Sequence, residues 1–195
     1  MLNDRSSTLA LLATRRSGKP REMVAPGPNA AELAEILALA ARVPDHGKLF
    51  PWRFVTIAPD QRDALATLLQ RALAAEDANA PRLKHDKTDE FARQAPSLVV
   101  LLSAPIADHK IPLWEQELSA GAVAMNLLLA THAMGYVGGW ITGWPTYSSI
   151  VTEALCKPGE RIAGFFFFGT PGRPLEERPR PDMAQIAHAW TPPTA

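Results

Sequence analysis

Apolar residues recur along this chain at helical spacing in some stretches, and run together or alternate in others. Ser6 to Thr14 is rich in Leu and Ala and predicts a short helix. A better-marked helix follows: Asn29 is its N-cap, Glu32 completes a capping box, and Leu33, Ile36, Leu37 and Ala40 form one stripe that Pro44 ends. Trp52 to Ile57 alternates and is β-branched or aromatic, which predicts a strand, and Asp60 can cap a helix carrying Leu65, Leu68, Leu69 and Leu73 on one face. Residues 76–95 are polar and charged, and fit either a second helix after Pro81 or a mobile surface excursion.

Ser97 to Ser103 is a continuous apolar run of strand length, the pattern of an interior strand covered on both faces. Pro112 suits the first turn of a long helix ended by Gly135, and Ser119, Ala120, Gly121, Ala122 and Ala124 predict close helix packing at its middle. A short helix to about Leu155 follows the Gly-rich stretch at 138–143. Arg161 to Phe168 reads as another strand, which Gly169-Thr170-Pro171-Gly172 stops. A Pro- and Arg-rich tail from about residue 173 completes a single domain over residues 1–195. Helices alternating with three apolar strands predict a sheet covered by helices on both sides.

Charge narrows the classes of partner. Lys plus Arg and Asp plus Glu both number 20, so no net field draws the chain to nucleic acid or to an acidic membrane. The longest apolar stretch, Ala120 to Met134, is interrupted by Asn126, Thr131 and His132 and is too short to span a bilayer. No secretory pattern is visible at the N-terminus, and the one cysteine, Cys156, excludes an internal disulfide framework, so a cytoplasmic setting is expected. The histidines at 46, 85, 109, 132 and 188 show no close ligand spacing, and no metal site is expected.

Three short stretches carry candidate chemistry. Arg15-Arg16-Ser17 with Lys19 offers guanidinium forks, a hydroxyl and a point charge to an anion, although so short a run also fits a solvated basic turn. Arg42-Val43-Pro44-Asp45-His46-Gly47-Lys48 is an irregular connection in which Arg42, His46 and Lys48 can face one ligand, or lie on the surface with Asp45 beside the histidine. Gly138-Gly139-Trp140-Ile141-Thr142-Gly143 lets the main chain approach a flat ring, and reads equally as an ordinary glycine-rich turn before a helix. Glu115 and Glu117 are explained by the dipole of the helix they open, and no nucleophile constellation is present. A Rossmann glycine fingerprint is absent, so any nicotinamide cofactor is held in another way.

The ordered set resembles the nitroreductase family of flavoproteins, in particular its short branch of NAD(P)H nitroreductases. The shared pieces are Arg15-Arg16-Ser17, Arg42-x-Pro44-Asp45-His46, Pro51-Trp52-x-Phe54, Trp114 to Gly121, Gly138-x-Trp140 and Gly164-Phe165 leading to Gly169-Thr170-Pro171. Each is weak alone, and their order over roughly residues 8–172 makes the match specific.

The resemblance implies an α+β fold, a three-layer α/β/α sandwich, assembled as a homodimer with FMN at the interface. It further implies that Arg15, Arg16 and Ser17 hold the phosphate and ribityl end, and that Arg42 and His46 reach the same flavin from the other subunit. Trp140, Ile141 and Thr142 complete the site. The family carries an arginine where this chain has Ile141, so the contact expected there is from the backbone. Lys19 falls where relatives place a lysine near the flavin pyrimidine edge. The segment Ala130, Thr131, His132, Ala133, Met134 and Gly135 matches one assigned to NAD(P) binding, and also reads as the end of a buried helix.

The implied chemistry is two-step. NADH or NADPH gives a hydride to the flavin, and a small-molecule electron acceptor such as a nitroaromatic or quinone then takes the electrons, with no catalytic side chain required. A flavin-binding store or sensor without turnover, or a sibling flavin chemistry such as dehydrogenation or dehalogenation, are the alternatives. A phosphate-ligand module without flavin would rest on the arginine turn alone.

Overall fold

The two strongest apolar runs lie side by side at the centre of one sheet. In the computed structural model, which describes residues 1–193, the chain forms helix α1 (Thr8–Thr14), strand β1 (Met23–Val24), α2 (Ala30–Ala40) and β2 (Trp52–Ile57). Next come α3 (Arg62–Glu76), α4 (Arg82–Arg93), β3 (Ser97–Ser103), α5 (Leu113–Ala133) and β4 (Val137–Ile141). The series closes with α6 (Trp144–Tyr147), α7 (Ser149–Leu155), β5 (Arg161–Pro171) and α8 (Met183–Ile186). The last two positions of the expected tail, 194 and 195, lie outside the described residues.

All four strand pairings are antiparallel. Strand β5 is central: β3 and then β2 lie to one side, while β4 and β1 pair with successive parts of β5. Alternation along the strands sends side chains to opposite faces. Leu98, Val100, Leu102, Phe165 and Phe167 pack under Leu65 and Leu69 of α3, Ala92 of α4 and Val151 of α7. Val99, Leu101, Phe166 and Phe168 face Ile36 and Ala40 of α2 and Val123, Ala124 and Leu127 of α5. Helices cover both faces, which gives the expected three layers, and Phe165 to Phe168 are all fully buried between them.

Local chemistry accounts for most boundaries. The Asn29 side chain accepts N–H bonds from Ala31 and Glu32 at 2.9 and 3.0 Å, while Glu32 reaches back to Asn29 N–H at 2.8 Å, so α2 starts where the capping box predicts. It ends at Ala40, before Pro44, with its last carbonyls met by the Asn126 amide, 2.8 Å from Leu39 O. Of the two alternatives for 76–95, the helix after Pro81 forms. The short helix before Leu155 is split, because Ser148 starts a new one by capping Val151 N–H at 3.3 Å.

Among the described residues the sheet has five strands where three were expected. The additional ones are the two-residue β1 and β4, and β4 runs through Gly138 and Gly139, which read as a turn. Glycine is a poor strand former by itself. Here the register Gly138↔Phe168 and Gly139↔Phe167 brings β4 against the most buried strand, and a Cβ on Gly138 would meet Leu128 Cδ2 at 2.8 Å.

Candidate functional site

The arginine turn leaves α1 at Arg15, whose backbone turns extended at φ −56° and ψ 128°. Asn3 occupies both polar backbone groups of Arg16, donating to its carbonyl at 3.0 Å and accepting its N–H at 2.7 Å. Gly18 N–H then donates to Gly138 O at 3.1 Å, which stitches the turn to the outer edge of β4. The approach is close: a Cβ on Gly18 would lie 2.9 Å from Val137 Cγ2. Within the turn, the Arg15 guanidinium donates to Ser17 Oγ at 3.2 Å.

A cavity of about 490 Å³ opens over this turn, and Arg15, Arg16, Ser17 and Lys19 line it together with the β4 residues Trp140 and Ile141. The C-terminal tail brings two further cations, Arg178 and Arg180, to the same space. Arg16 Nε donates to Glu176 O at 2.6 Å, and Arg180 Nη2 donates to Arg15 O at 3.3 Å, so the tail is laced to the turn. Glu177 pairs with Arg180 at 2.8 Å and Glu176 lies 3.5 Å from Lys19 Nζ. Burial, followed by the charges of Arg180, Arg16 and Arg178, holds the Arg15 guanidinium below its ordinary value.

Several guanidinium forks converging with a hydroxyl match the oxygens of a phosphate monoester, and the mutual repulsion of the cations is what a bound anion would relieve. Arg178 and Arg180 were not among the residues expected from sequence. Their one signal there is a pair of arginines set among prolines in the tail.

Trp140 stacks on Phe166 with centroids 5.3 Å apart and donates its indole N–H to Ala163 O at 3.0 Å, leaving the ring partly exposed. Thr142 lies just past the end of β4, in an adjoining recess that Trp140 also lines.

Arg42 and His46 are not brought to this cavity within one protomer. Arg42 lines a separate space of about 450 Å³ between α1, α2 and α5. His46 Nδ1 lies 2.8 Å from Glu115 Oε2, and Glu117 pairs with Arg161, so both carboxylates at the start of α5 have partners. The small-residue stretch of α5 divides by face. Ala124 packs against α2 and Ser119 Oγ donates to Pro44 O at 2.7 Å, whereas a Cβ on Gly121 would meet nothing within 4 Å. Leu9 and Leu12 of α1, Leu39 of α2, and Leu118 and Met125 of α5 are exposed apolar side chains.

Half of the segment 130–135 is buried. Ala130 is buried, and it lines the α1–α5 space together with the exposed Ala133, while Met134 is half-buried. Thr131 and His132, both in the segment expected to meet the nucleotide, are wholly buried within the protomer. Thr131 Oγ1 donates to Leu127 O at 2.8 Å, and His132 Nε2 accepts Gly138 N–H at 3.1 Å. Burial first, and the Arg15 charge second, push the His132 ring down to about 4, so it is neutral near pH 7. Gly135 ends α5 at φ +96°, where a Cβ would lie 2.7 Å from Arg5 Nη1.

Among the described residues no group of three or more His, Cys, Asp or Glu could hold a metal ion, and no helix is long and apolar enough to cross a membrane.

Comparison with known proteins places these features in context. The model of the Nitroreductase family matches residues 12–170. A protein named Putative NAD(P)H nitroreductase YdjA, from Escherichia coli (strain K12), is 35% identical over 168 residues, covering 84% of this chain and 87% of the relative. The crystal structure of a Nitroreductase-like Family Protein from Bacillus cereus superposes with a TM-score of 0.82 at 19% identity, covering 94% of this chain and 96% of that one. The NADPH:FMN oxidoreductase from Vibrio harveyi, complexed with NAD+, superposes with a TM-score of 0.67 at 18% identity, covering 90% and 73%.

Proposed function

From the premise that the chain belongs to the nitroreductase family and is an oxidoreductase, we propose that it is an FMN-dependent NAD(P)H oxidoreductase whose flavin phosphate is held in the arginine cavity. The observation that carries this reading is the convergence of Arg15, Arg16, Ser17, Arg178 and Arg180 on one space, with Arg15 held below its ordinary value by burial first and by its like-charged neighbours second. The name of the Vibrio harveyi enzyme, which specifies FMN and NADPH, supports the same cofactor pair.

The residues divide the work by chemistry. Arg15, Arg16, Arg178 and Arg180 supply charge-assisted donors to the phosphate oxygens, and the Ser17 hydroxyl adds a neutral one. Lys19 lines the same cavity, and as a cation beside a bound flavin ring it would favour negative charge there. The outer edge of β4 at Trp140 and Ile141 offers backbone groups and the indole face, and Thr142 continues that wall. When bound, FMN supplies two-electron transfer from NADH or NADPH to a small acceptor such as a nitroaromatic or quinone. No side chain of this chain is assigned a covalent role.

Arg42 and His46 serve the flavin of a second copy in this reading. Two observations support a homodimer: both residues lie away from their own arginine cavity, and apolar side chains of α1, α2 and α5 are exposed beside the open Gly121. A pairing that covers this face would join one protomer's Arg42 and His46 to the other's arginine turn.

Titration of flavin-free protein with FMN, followed by anaerobic NADH and NADPH consumption with and without a nitroaromatic or quinone, tests the proposal. A yellow complex that oxidises the nicotinamide in an acceptor-dependent way is expected. A preparation that stays colourless after FMN addition contradicts the cofactor, and a yellow one without turnover favours storage or sensing.

A further inference from the structure

Gly138 is a buried residue on the strand edge facing away from β5, where no further strand among the described residues pairs with it. Both of its backbone polar groups are nevertheless satisfied. Its carbonyl accepts Gly18 N–H at 3.1 Å, and its own N–H donates to His132 Nε2 at 3.1 Å. The second contact comes from the last turn of α5, brought back by Gly135 in the left-handed region and by Tyr136 N–H donating to Thr131 O at 3.2 Å. One edge glycine thus joins the arginine turn on one side to a buried histidine on the other.

The imidazole is an expensive choice for this place. His132 is wholly buried, and its Nδ1 has no hydrogen-bond partner among the described residues. Since Nε2 accepts, Nδ1 carries the proton, and a buried donor without a partner is destabilising. An apolar side chain of similar size would remove that cost. It could not accept the Gly138 N–H, which would then be the orphan, in the same residue as the carbonyl that anchors Gly18.

We propose that His132 is a positioning residue of the flavin-phosphate cavity: by accepting Gly138 N–H it fixes the edge of β4, and through Gly138 O and Gly18 N–H it fixes the Arg15–Ser17 turn. The inference rests on the flavin reading for its ligand, and on the hydrogen bonds alone for the tether. It assigns the expected nucleotide segment a role from behind the cavity instead of one inside it. Depression of the ring to about 4 by burial and the nearby Arg15 charge keeps Nε2 free to accept at neutral pH.

Three full-length variants separate this role from simple packing. His132→Met keeps an apolar side chain of comparable length without the acceptor. His132→Gln can place its amide oxygen where Nε2 stands, while His132→Asn is polar but too short to reach Gly138. Affinities for FMN and for riboflavin, which lacks the phosphate, are measured for each. Backbone amide exchange at Gly18 and Gly138 is followed in the flavin-free proteins.

Loss of one aligning hydrogen bond predicts FMN binding weakened roughly tenfold in His132→Met, riboflavin binding changed less than about twofold, and Gly18 exchange accelerated about tenfold. His132→Asn behaves like His132→Met, and His132→Gln restores both readouts to within about threefold. Should His132→Met fail to fold, the contrast between Asn and Gln decides. Equal losses of FMN and riboflavin, unchanged Gly18 exchange, or a Gln variant as impaired as Asn would overturn the proposal. Failure of the wild-type chain to bind FMN, with Gly18 exchange still responding to the substitutions, would overturn the flavin reading and leave the tether supported.

Discussion

Replacing Arg15 with Gln has two consequences of opposite sign. The guanidinium lines the cavity beside Arg16, Arg178 and Arg180, and burial first and these like charges second depress it, so in the flavin-free protein the charge is a cost. Toward a phosphate the same charge is a gain, and a charge-assisted hydrogen bond is worth about 1.5–3 kcal/mol. Three neighbouring arginines remain in the variant, so the lower half of that range applies: about 1.5–2 kcal/mol, or FMN bound roughly 10- to 30-fold more weakly.

The substitution deletes no core contact, and the one hydrogen bond it removes, from the Arg15 guanidinium to Ser17 Oγ at 3.2 Å, joins residues two apart within the turn. Flavin-free stability should therefore be unchanged or raised by up to about 0.5 kcal/mol, roughly 1–2 °C in Tm for a chain of this size. Isothermal titration with FMN and riboflavin, and thermal unfolding of the flavin-free proteins, read the two effects separately. A variant that binds FMN as tightly as the native chain, or whose flavin-free form melts several degrees lower, would refute the account of Arg15 as a repelled cation awaiting an anion.

Further outcomes follow from the same geometry. Arg178→Ala with Arg180→Ala should weaken FMN binding about tenfold or more and leave riboflavin binding within about twofold, as read by fluorescence quenching. The depressed His132 makes stability pH-dependent: the unfolded chain binds a proton near 6.5 and the folded chain near 4, so stability present above 6.5 is lost as pH falls toward 4. The full loss is about 3 kcal/mol, and urea unfolding at pH 7 and pH 5 should show a smaller drop in His132→Gln than in the native chain. A mixed dimer of an Arg15→Ala chain and a His46→Ala chain should retain one intact site and about half the bound FMN; two equally damaged sites would reject shared sites.

Legibility from sequence follows the range of each interaction. The capping box of Asn29 and Glu32 acts over three residues, and α2 begins where it predicts. The runs Leu98 to Leu102 and Ile162 to Phe168 carry no polar side chain because both faces of the sheet are covered, and they become its interior. Strand β4 was hidden because Gly138 and Gly139 owe their extended form to pairing with β5, a contact across some thirty residues that no local propensity records. The arginine turn was visible as a motif, whereas Arg178 and Arg180 reach it from more than 160 residues away. His132 is legible as part of a nucleotide-segment resemblance and of a helix end, but its bond to Gly138 is not, since that depends on the turn at Gly135.

The central claim is that the flavin phosphate lies between the Arg15–Ser17 turn and the tail arginines, and a crystal structure of the FMN-loaded protein tests it most directly. The account predicts phosphate oxygens in hydrogen-bond contact with Arg15, Ser17 and at least one of Arg178 and Arg180, with Arg42 and His46 of a second copy approaching the same flavin. A flavin bound elsewhere, or an arginine cavity closed by the protein's own side chains with FMN present, would contradict it.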